Sequence, residues 1–199
     1  MANTQAPFGF RQFSGYGSAP TFEQVTARVA YNASAIYFGD PVSPDTSGFV
    51  TIAAPGTTQI AGIFMGCKYL SVSQKRTVWS NYWPGSDVAS TQTVEAYICA
   101  DPNAMWEAQV AGSSSVGAAL TDINANVQFA IGTPNAATGL SGAYIDISVT
   151  PTTTATLPFR LQKIGSQYKL GGNGSEDGAY NYVIVSFNNV SAKQLTSVG

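Results

Sequence analysis

The chain has 199 residues, of which 44% are hydrophobic and only 10% are charged, with a net charge of −2. The hydrophobic fraction excludes a disordered chain, and the nine basic residues are too thinly spread to neutralise a run of phosphates, which excludes nucleic acid as a partner. The charged fraction lies well below the roughly 25% of an ordinary soluble domain, which favours a surface largely covered by neighbouring subunits.

The sequence also predicts no membrane partner and synthesis in a cytoplasm. No apolar stretch is long enough to cross a bilayer, and the first residues lack the basic and apolar segments of a signal peptide. A reducing compartment disfavours disulfides. We therefore expect Cys67 and Cys99 to be two small buried hydrophobic residues.

Residues 1–24 are predicted to form an extended N-terminal arm. The segment contains two prolines and three glycines, and its apolar residues follow neither a helical nor a strand period. Its aromatic rings would associate nonspecifically in water, so we expect them to become ordered only against another surface, such as a neighbouring subunit. The candidate interface residues of this arm are Phe8, Phe10, Arg11, Phe13 and Tyr16.

Residues 25–199 are predicted to form one all-β domain. About eleven short β-rich runs are separated by Gly, Pro, Asn and Asp, which is typical of a β-sandwich or a jelly-roll-like barrel. A single helical turn is predicted at 116–120. The predicted strands are 25–31, 34–38, 49–52, 60–67, 77–83, 93–100, 104–110, 127–131, 143–150, 157–164 and 180–187.

Two connections carry information about topology. The sequence Asp101-Pro102-Asn103 is a turn signal between two of the runs, and it predicts a hairpin. The segment 151–156 is low in complexity and has two interpretations. It is either a linker that divides the β domain in two or an extended crossing between two sheets of one domain. Core-like runs on both sides favour a single domain.

The residue types argue against an enzyme. The chain has no histidine, which excludes Ser-His-Asp and Cys-His catalysis, and two cysteines are too few for a zinc site built from cysteine alone. Glu95 and Glu107, on adjacent predicted strands, are the remaining candidates for a glycosidase pair, but 11 acidic residues give a neighbouring pair by chance. We expect no catalytic residue, no cofactor and no metal.

An aromatic cluster stands out at 79–85, with the sequence WSNYWPG. Its three large aromatic residues have two interpretations. They could be core or subunit-interface anchors, since Trp and Tyr are enriched there, or they could form a flat platform for sugar stacking. The low charge of the chain favours core or interface. The candidate interface residues of this cluster are Trp79, Tyr82 and Trp83.

Several blocks of the sequence resemble a group of tailed-bacteriophage virion proteins. The most specific is the middle region 62–85, where the resemblance is carried by the blocks AGIFMGCKY (61–69) and VWSNYWPG (78–85). Shorter similar blocks are scattered over nearly the whole chain. They are ANTQAPFGFR (2–11), ADPN (100–103), LPFRL (157–161) and VSFNN (185–189).

The resemblance implies a structural protein of the virion, which we take to be a capsid cement, or decoration, protein on the outer surface of the head. It further implies a homotrimer that bridges subunits of the major capsid protein, without a cofactor or an active site. Two alternatives remain open: a tail or neck component, and a head-fibre adhesin that binds a host glycan. Exposure of Trp79, Tyr82 and Trp83 on a rim would be the signature of the adhesin.

Overall fold

The computed structural model describes residues 2–14, 24–112, 116–148 and 151–190. Over these ranges the chain is all-β, as predicted, with twelve strands and two single-turn 3₁₀ helices, Leu120–Asp122 and Gly165–Gln167. The strands are β1 (Arg11–Ser14), β2 (Gln24–Ala30), β3 (Pro41–Pro44), β4 (Val50–Ile52), β5 (Gly62–Ser71), β6 (Arg76–Ser80), β7 (Thr93–Cys99), β8 (Met105–Ala111), β9 (Asn126–Asn135), β10 (Leu140–Asp146), β11 (Phe159–Ile164) and β12 (Tyr182–Phe187).

Five strands form a closed barrel, and a sixth strand is added at its edge. The ring runs β8–β10–β9–β11–β12 and returns to β8; the β8–β10 pair is parallel and the other pairs are antiparallel. β1 pairs with β8 beside the ring. Because side chains alternate along a strand, every second residue of β8 points inward. The larger core fills this barrel and includes Trp106, Ala108, Val110, Phe129, Ile145, Phe159, Leu161 and Val185.

The other six strands form an open sheet in the order β2–β7–β5–β3–β4, with β6 paired to the later part of β5. Where β5 and β7 meet the barrel, Ile63 and Cys99 join the barrel core. The opposite face carries Phe64, Val94 and Ile98 into a second, smaller core. The sheet therefore packs against the barrel at one end, and its opposite face is covered by the smaller core.

The predicted hairpin at residues 101–103 is wrong. The turn itself is present, since the Asn103 N–H donates to the Asp101 carboxylate at 2.8 Å and the Ala104 N–H donates to the Asp101 carbonyl at 3.0 Å. However, β7 belongs to the open sheet and β8 belongs to the barrel. The turn residues set the local change of direction but not the partner of the next strand.

Two further predictions about strands differ from the structure. Residues 34–38 are not a strand; Ile36 and Phe38 make only isolated bridges, to Trp83 and Leu140. The strand lies instead at Pro41–Pro44. Its prolines occupy the two ends, where a missing N–H does least damage to a ladder. Within the described residues, the helical turn falls at Leu120–Asp122, at the end of the predicted range.

The segment 151–156 does not separate two domains. It connects β10 to β11, and both of these strands pair with β9 in the barrel. Thr152 exchanges backbone hydrogen bonds with Asn126 at 2.7 and 3.1 Å, and the Asn126 amide donates to the Thr154 carbonyl at 2.9 Å. The segment is therefore neither a linker between two domains nor a crossing between two sheets, and it lies along the barrel.

The described part of the arm, residues 2–14, packs on its own chain. Phe10 is fully buried and stacks on Phe159 with ring centroids 4.5 Å apart. Gly9 lets the arm pass the barrel closely, since its φ is +78° and a Cβ there would lie 2.6 Å from the Ser141 Cβ. The expectation that a neighbour is needed to order the arm is wrong for this part. Residues 15–23, with Tyr16, lie outside the described residues.

The two cysteines are buried, as predicted, and no disulfide joins Cys67 to Cys99. Burial raises the pKa of the Cys67 thiol to about 12. Its Sγ lies 3.4 Å from the Tyr82 carbonyl oxygen, to which the thiol donates. Cys67 is therefore a protonated core residue at neutral pH.

A buried carboxyl group joins the open sheet to the barrel. Asp40 is 1% exposed and precedes β3, while its partner Ser141 lies on β10. The Ser141 hydroxyl donates to the Asp40 carboxylate at 2.5 Å, and the Tyr37 N–H donates to it at 2.7 Å. Burial raises the pKa of Asp40 from 3.8 to about 6, although both hydrogen bonds act in the opposite direction.

Because the pKa of Asp40 is raised in the folded chain, we expect mild acid to stabilise the fold. The folded chain keeps the Asp40 proton up to about pH 6 and the unfolded chain releases it near pH 3.8, so the folded state binds more protons between these values and stability falls as pH rises through them. We expect Asp40→Asn to remove this dependence. The wild type should gain about 2–3 kcal/mol relative to the variant between pH 7.5 and pH 4.

Chemical denaturation of both proteins across this pH range measures the effect. Taking the difference between the two curves cancels the titration of the other carboxylates, such as that of Glu95. Parallel curves at all pH values would show that Asp40 does not carry a raised pKa in the folded chain.

Candidate interaction surfaces

The candidate residues of the arm divide into a buried pair and an exposed pair. Phe8 and Phe10 are 8% and 0% exposed, and both pack on the barrel. Arg11 is exposed and its guanidinium carbon lies 4.2 Å from the centre of the Phe8 ring. Phe13 is 43% exposed and makes an edge contact with Tyr168 at 5.3 Å. Of these four candidate residues, Arg11 and Phe13 are therefore the ones available to a partner.

Phe13 belongs to a surface that we call the arm-side patch, which comprises Phe13, Tyr168, Lys169, Leu170 and Glu107. Leu170 is fully exposed. Glu107 accepts hydrogen bonds from the Tyr168 hydroxyl at 3.0 Å and from the Lys169 ammonium at 3.3 Å. Burial and the adjacent carboxylate raise the pKa of Tyr168. The charges of the patch thus neutralise each other, which leaves the two apolar side chains at its surface.

The aromatic cluster at 79–85 is split between core and surface. Trp83 is fully buried in the smaller core, where its indole N–H donates to the Ala33 carbonyl at 3.2 Å and its ring meets Tyr69 edge-on at 5.2 Å. Tyr82 is half-buried and stacks on Tyr37. Trp79 is 67% exposed. An exposed rim built from all three residues, as the adhesin alternative required, is therefore wrong for Trp83.

Trp79 stands on a second surface, the open sheet face, which is the solvent side of β2, β7, β5 and β6. Strand register places four side chains in one row across this face. Arg28 of β2 is opposite Glu95 of β7, Glu95 is opposite Lys68 of β5, and Lys68 is opposite Trp79 of β6. The row alternates cation, carboxylate, cation and indole.

The row is held together by direct contacts. The Lys68 ammonium pairs with the Glu95 carboxylate at 3.2 Å and lies 5.0 Å from the centre of the Trp79 ring. The Tyr97 hydroxyl donates to Glu95 at 3.0 Å. Hydrogen bonding from Lys68, and then from Tyr97, lowers the pKa of Glu95, so this carboxylate is ionised at neutral pH.

Trp79 and Tyr97 form a stacked aromatic pair on this face. Their rings are parallel to within 5°, with centroids 6.1 Å apart. Gly66 lies opposite Tyr97 on the intervening strand. Because glycine has no side chain, the indole reaches diagonally across β5 to the tyrosine. A Cβ at position 66 would lie 2.9 Å from the Ser80 carbonyl oxygen.

A shallow groove of about 460 Å³ lies along the charged part of the row, and a separate hollow of about 340 Å³ is lined by Trp79 and Tyr97. The size of the groove falls within the roughly 300–1,000 Å³ of small-molecule sites. The lining is mostly hydroxyl-bearing and charged, with Leu70 as an exposed apolar contribution. The side chains that line it include Thr26, Arg28, Lys68, Leu70, Thr77, Thr93 and Glu95.

The carboxylate pair considered from the sequence does not form. Glu95 lies on the open sheet and Glu107 lies on the barrel, so their strands are not adjacent. Each carboxylate instead has its own lysine and tyrosine, Lys68 and Tyr97 in the first case and Lys169 and Tyr168 in the second. In the ranges that the structure describes, no group of three or more His, Cys, Asp or Glu side chains is placed to hold a metal ion.

Sequence reasoning missed Arg28, Lys68 and Tyr97 as residues of one site. Each stands on a different strand from Trp79, and their proximity depends on strand register. The alternating polar positions of β2 and β7 indicate that these side chains face solvent, but not which strands are neighbours.

No protein-family model, curated protein sequence or solved structure matches this chain. A search of the described residues for a helix long and apolar enough to span a membrane found none.

Proposed function

We propose that this chain is a structural virion protein of a tailed bacteriophage, a capsid cement or decoration protein on the outer surface of the head. In this role it bridges neighbouring subunits of the major capsid protein and carries out no chemical reaction. The sequence resemblance supports the proposal. Its most specific region, 62–85, supplies the central strand of the open sheet and the buried Trp83.

The observation that carries the proposal is the arm-side patch. Phe13 and Leu170 expose apolar side chains in a chain with only 10% charged residues. Lys169 and Glu107 are 3.3 Å apart within the patch, so docking against a shell would not bury an unpaired charge there. Covering each apolar side chain is worth about 1.5–3 kcal/mol if it becomes fully buried. One contact of this size is weak, and several identical contacts around a seam add up.

Co-sedimentation of the purified protein with undecorated heads tests this proposal. We expect wild-type protein to bind, and the double variant Phe13→Ala, Leu170→Ser to bind about 10- to 100-fold more weakly, since about 1.4 kcal/mol corresponds to a factor of ten. Leu120→Ser is the matched control, because Leu120 is 59% exposed on the Leu120–Asp122 turn outside the patch.

Two outcomes would count against the proposal. Failure of the wild type to bind heads would remove the cement function. Binding by the wild type and equally by the double variant would place the contact on another surface. The number of copies per virion, read from a stained gel, separates a head decoration protein, expected in hundreds of copies, from a tail or neck component, expected in a few to tens.

The proposal includes a homotrimer, as the resemblance implies. Threefold assembly places three arm-side patches at one junction, so that the affinity of the assembly exceeds that of a single patch. Light scattering on free protein, together with mass measurement on protein released from heads, gives the oligomeric state. A monomer in both conditions would contradict this part of the proposal.

A further inference from the structure

We propose that the open sheet face is a carbohydrate-binding site, in which a pyranose ring stacks on Trp79 and its hydroxyl groups bind Glu95, Lys68 and Arg28. The site is distinct from the arm-side patch and goes beyond the cement function. The two surfaces lie on different sheets. A protein held on a shell by the first could therefore present the second to a glycan.

Two neighbouring side chains restrict the orientation of the exposed Trp79 ring. The Lys68 ammonium lies 5.0 Å from its ring centre, and Tyr97 lies parallel to it at 6.1 Å. An aromatic ring that is already oriented loses little rotamer freedom when a ligand stacks on it. A pyranose ring presents C–H groups on its faces and hydroxyl groups at its rim, which matches an aromatic plane bordered by polar side chains.

The polar part of the site provides both kinds of hydrogen-bonding partner. The ionised Glu95 accepts, and the Lys68 ammonium and the Arg28 guanidinium donate. Hydroxyl groups both donate and accept, so a sugar can use both kinds of partner along the row. Three inter-strand spacings of about 4.8 Å give the row a length of about 14 Å, which is longer than one hexose ring and suits a short oligosaccharide.

The same residues argue against other ligands that stack on tryptophan. Glu95 lies between the two cations in the row and would repel the phosphates of a nucleic acid strand, which binds through uninterrupted positive charge. A peptide would be anchored by apolar side chains in apolar pockets. The groove instead carries threonine hydroxyls and charges along most of its wall.

Binding to an array of immobilised oligosaccharides, two to six hexose units long and including neutral and acidic series, tests the proposal with the full-length protein. We expect at least one series to bind. Trp79→Ala should weaken that binding at least tenfold, and Trp79→Phe should retain part of it. Titration with the best oligosaccharide should also protect Trp79 fluorescence from quenching by acrylamide.

Two further variants define the site and its control. Glu95→Gln removes the central charge while preserving the shape of the side chain, and we expect weaker binding because Lys68 loses its ionic partner. Phe13→Ala removes an exposed aromatic ring from the arm-side patch, and we expect unchanged binding. Thermal unfolding of each variant confirms that it is folded, as expected for substitutions at exposed or half-exposed side chains.

The proposal is overturned if no oligosaccharide binds the wild type, or if Trp79→Ala binds as tightly as the wild type. It is also overturned if oligothymidylate binds the wild type and this binding depends on Trp79, which would make the site one for single-stranded nucleic acid. Co-sedimentation with heads is measured on the same variants. We expect Trp79→Ala to sediment with heads like the wild type, so that failure of the glycan site and failure of the cement function give different results.

Discussion

Trp83→Ala is expected to lower the free energy of unfolding by about 3–5 kcal/mol, which is the usual range for deleting a buried tryptophan ring. The side chain is fully buried and lies among the residues of the smaller core. Its removal would leave a cavity beside Tyr69 and would leave the Ala33 carbonyl without the indole donor that now lies 3.2 Å away. Because Ile36 and Trp83 also form an isolated backbone bridge, the backbone around Ile36 should loosen as well.

Trp79→Ala is the matched control for this change. The same residue type is removed four positions earlier, but this ring is 67% exposed, and surface substitutions usually change stability by less than about 0.5 kcal/mol. Urea denaturation of the two variants and the wild type gives both values. Equal losses of stability, or a larger loss for Trp79→Ala, would contradict the assignment of Trp83 to the core and Trp79 to the surface.

Phe10→Ala is expected to cost a similar 3–5 kcal/mol, although the residue belongs to a segment that the sequence predicts to be an arm. Its ring is fully buried in the barrel core and stacks on Phe159 at 4.5 Å, and Phe159 in turn contacts Phe129 and Phe187. Removing the ring therefore opens a cavity at the centre of an aromatic group. We expect a lower midpoint of urea denaturation with little change in its slope, which would indicate a loss of stability without a change in the surface exposed on unfolding.

Phe13→Ala provides the comparison within the same segment. Phe13 is 43% exposed and contacts Tyr168, so we expect a loss of less than about 1 kcal/mol. A stable Phe10→Ala protein would mean that the arm is not part of the barrel core.

The contrast between Phe10 and Phe13 also determines what a truncation of the arm would measure. Deleting residues 2–20 removes Phe10 along with Phe13, and the truncated protein would lose head binding through unfolding as well as through loss of the patch.

The two pairs of variants separate folding from binding. Trp83 and Phe10 report on the two cores, whereas Trp79 and Phe13 report on the two proposed binding surfaces. Since each pair contains the same residue type within one short segment, differences within a pair reflect environment and not chemistry. A loss of glycan or head binding is informative only for the exposed member of each pair.

The sequence by itself determined the fold class and most of the strands. Period-two alternation and turn residues are local signals, and they predict β-structure wherever a strand is half-buried. Burial of both cysteines also followed from composition and local pattern. β1 and β3 were missed because β1 lies within a segment without a period and β3 has a proline at each end. Local signals disfavour a strand in both settings.

Only the tertiary structure decided which strands are neighbours and which rings face inward. The turn at 101–103 predicts a change of direction, but the chain passes there from one sheet to the other. Arg28, Lys68 and Glu95 form one row because β2, β7 and β5 pair in a particular register. The physical reason is that strand pairing depends on complementary packing between residues far apart in sequence. Propensity and spacing report only on each strand and its immediate surroundings, so neither the row on the open sheet face nor the burial of Phe10 could be read from them.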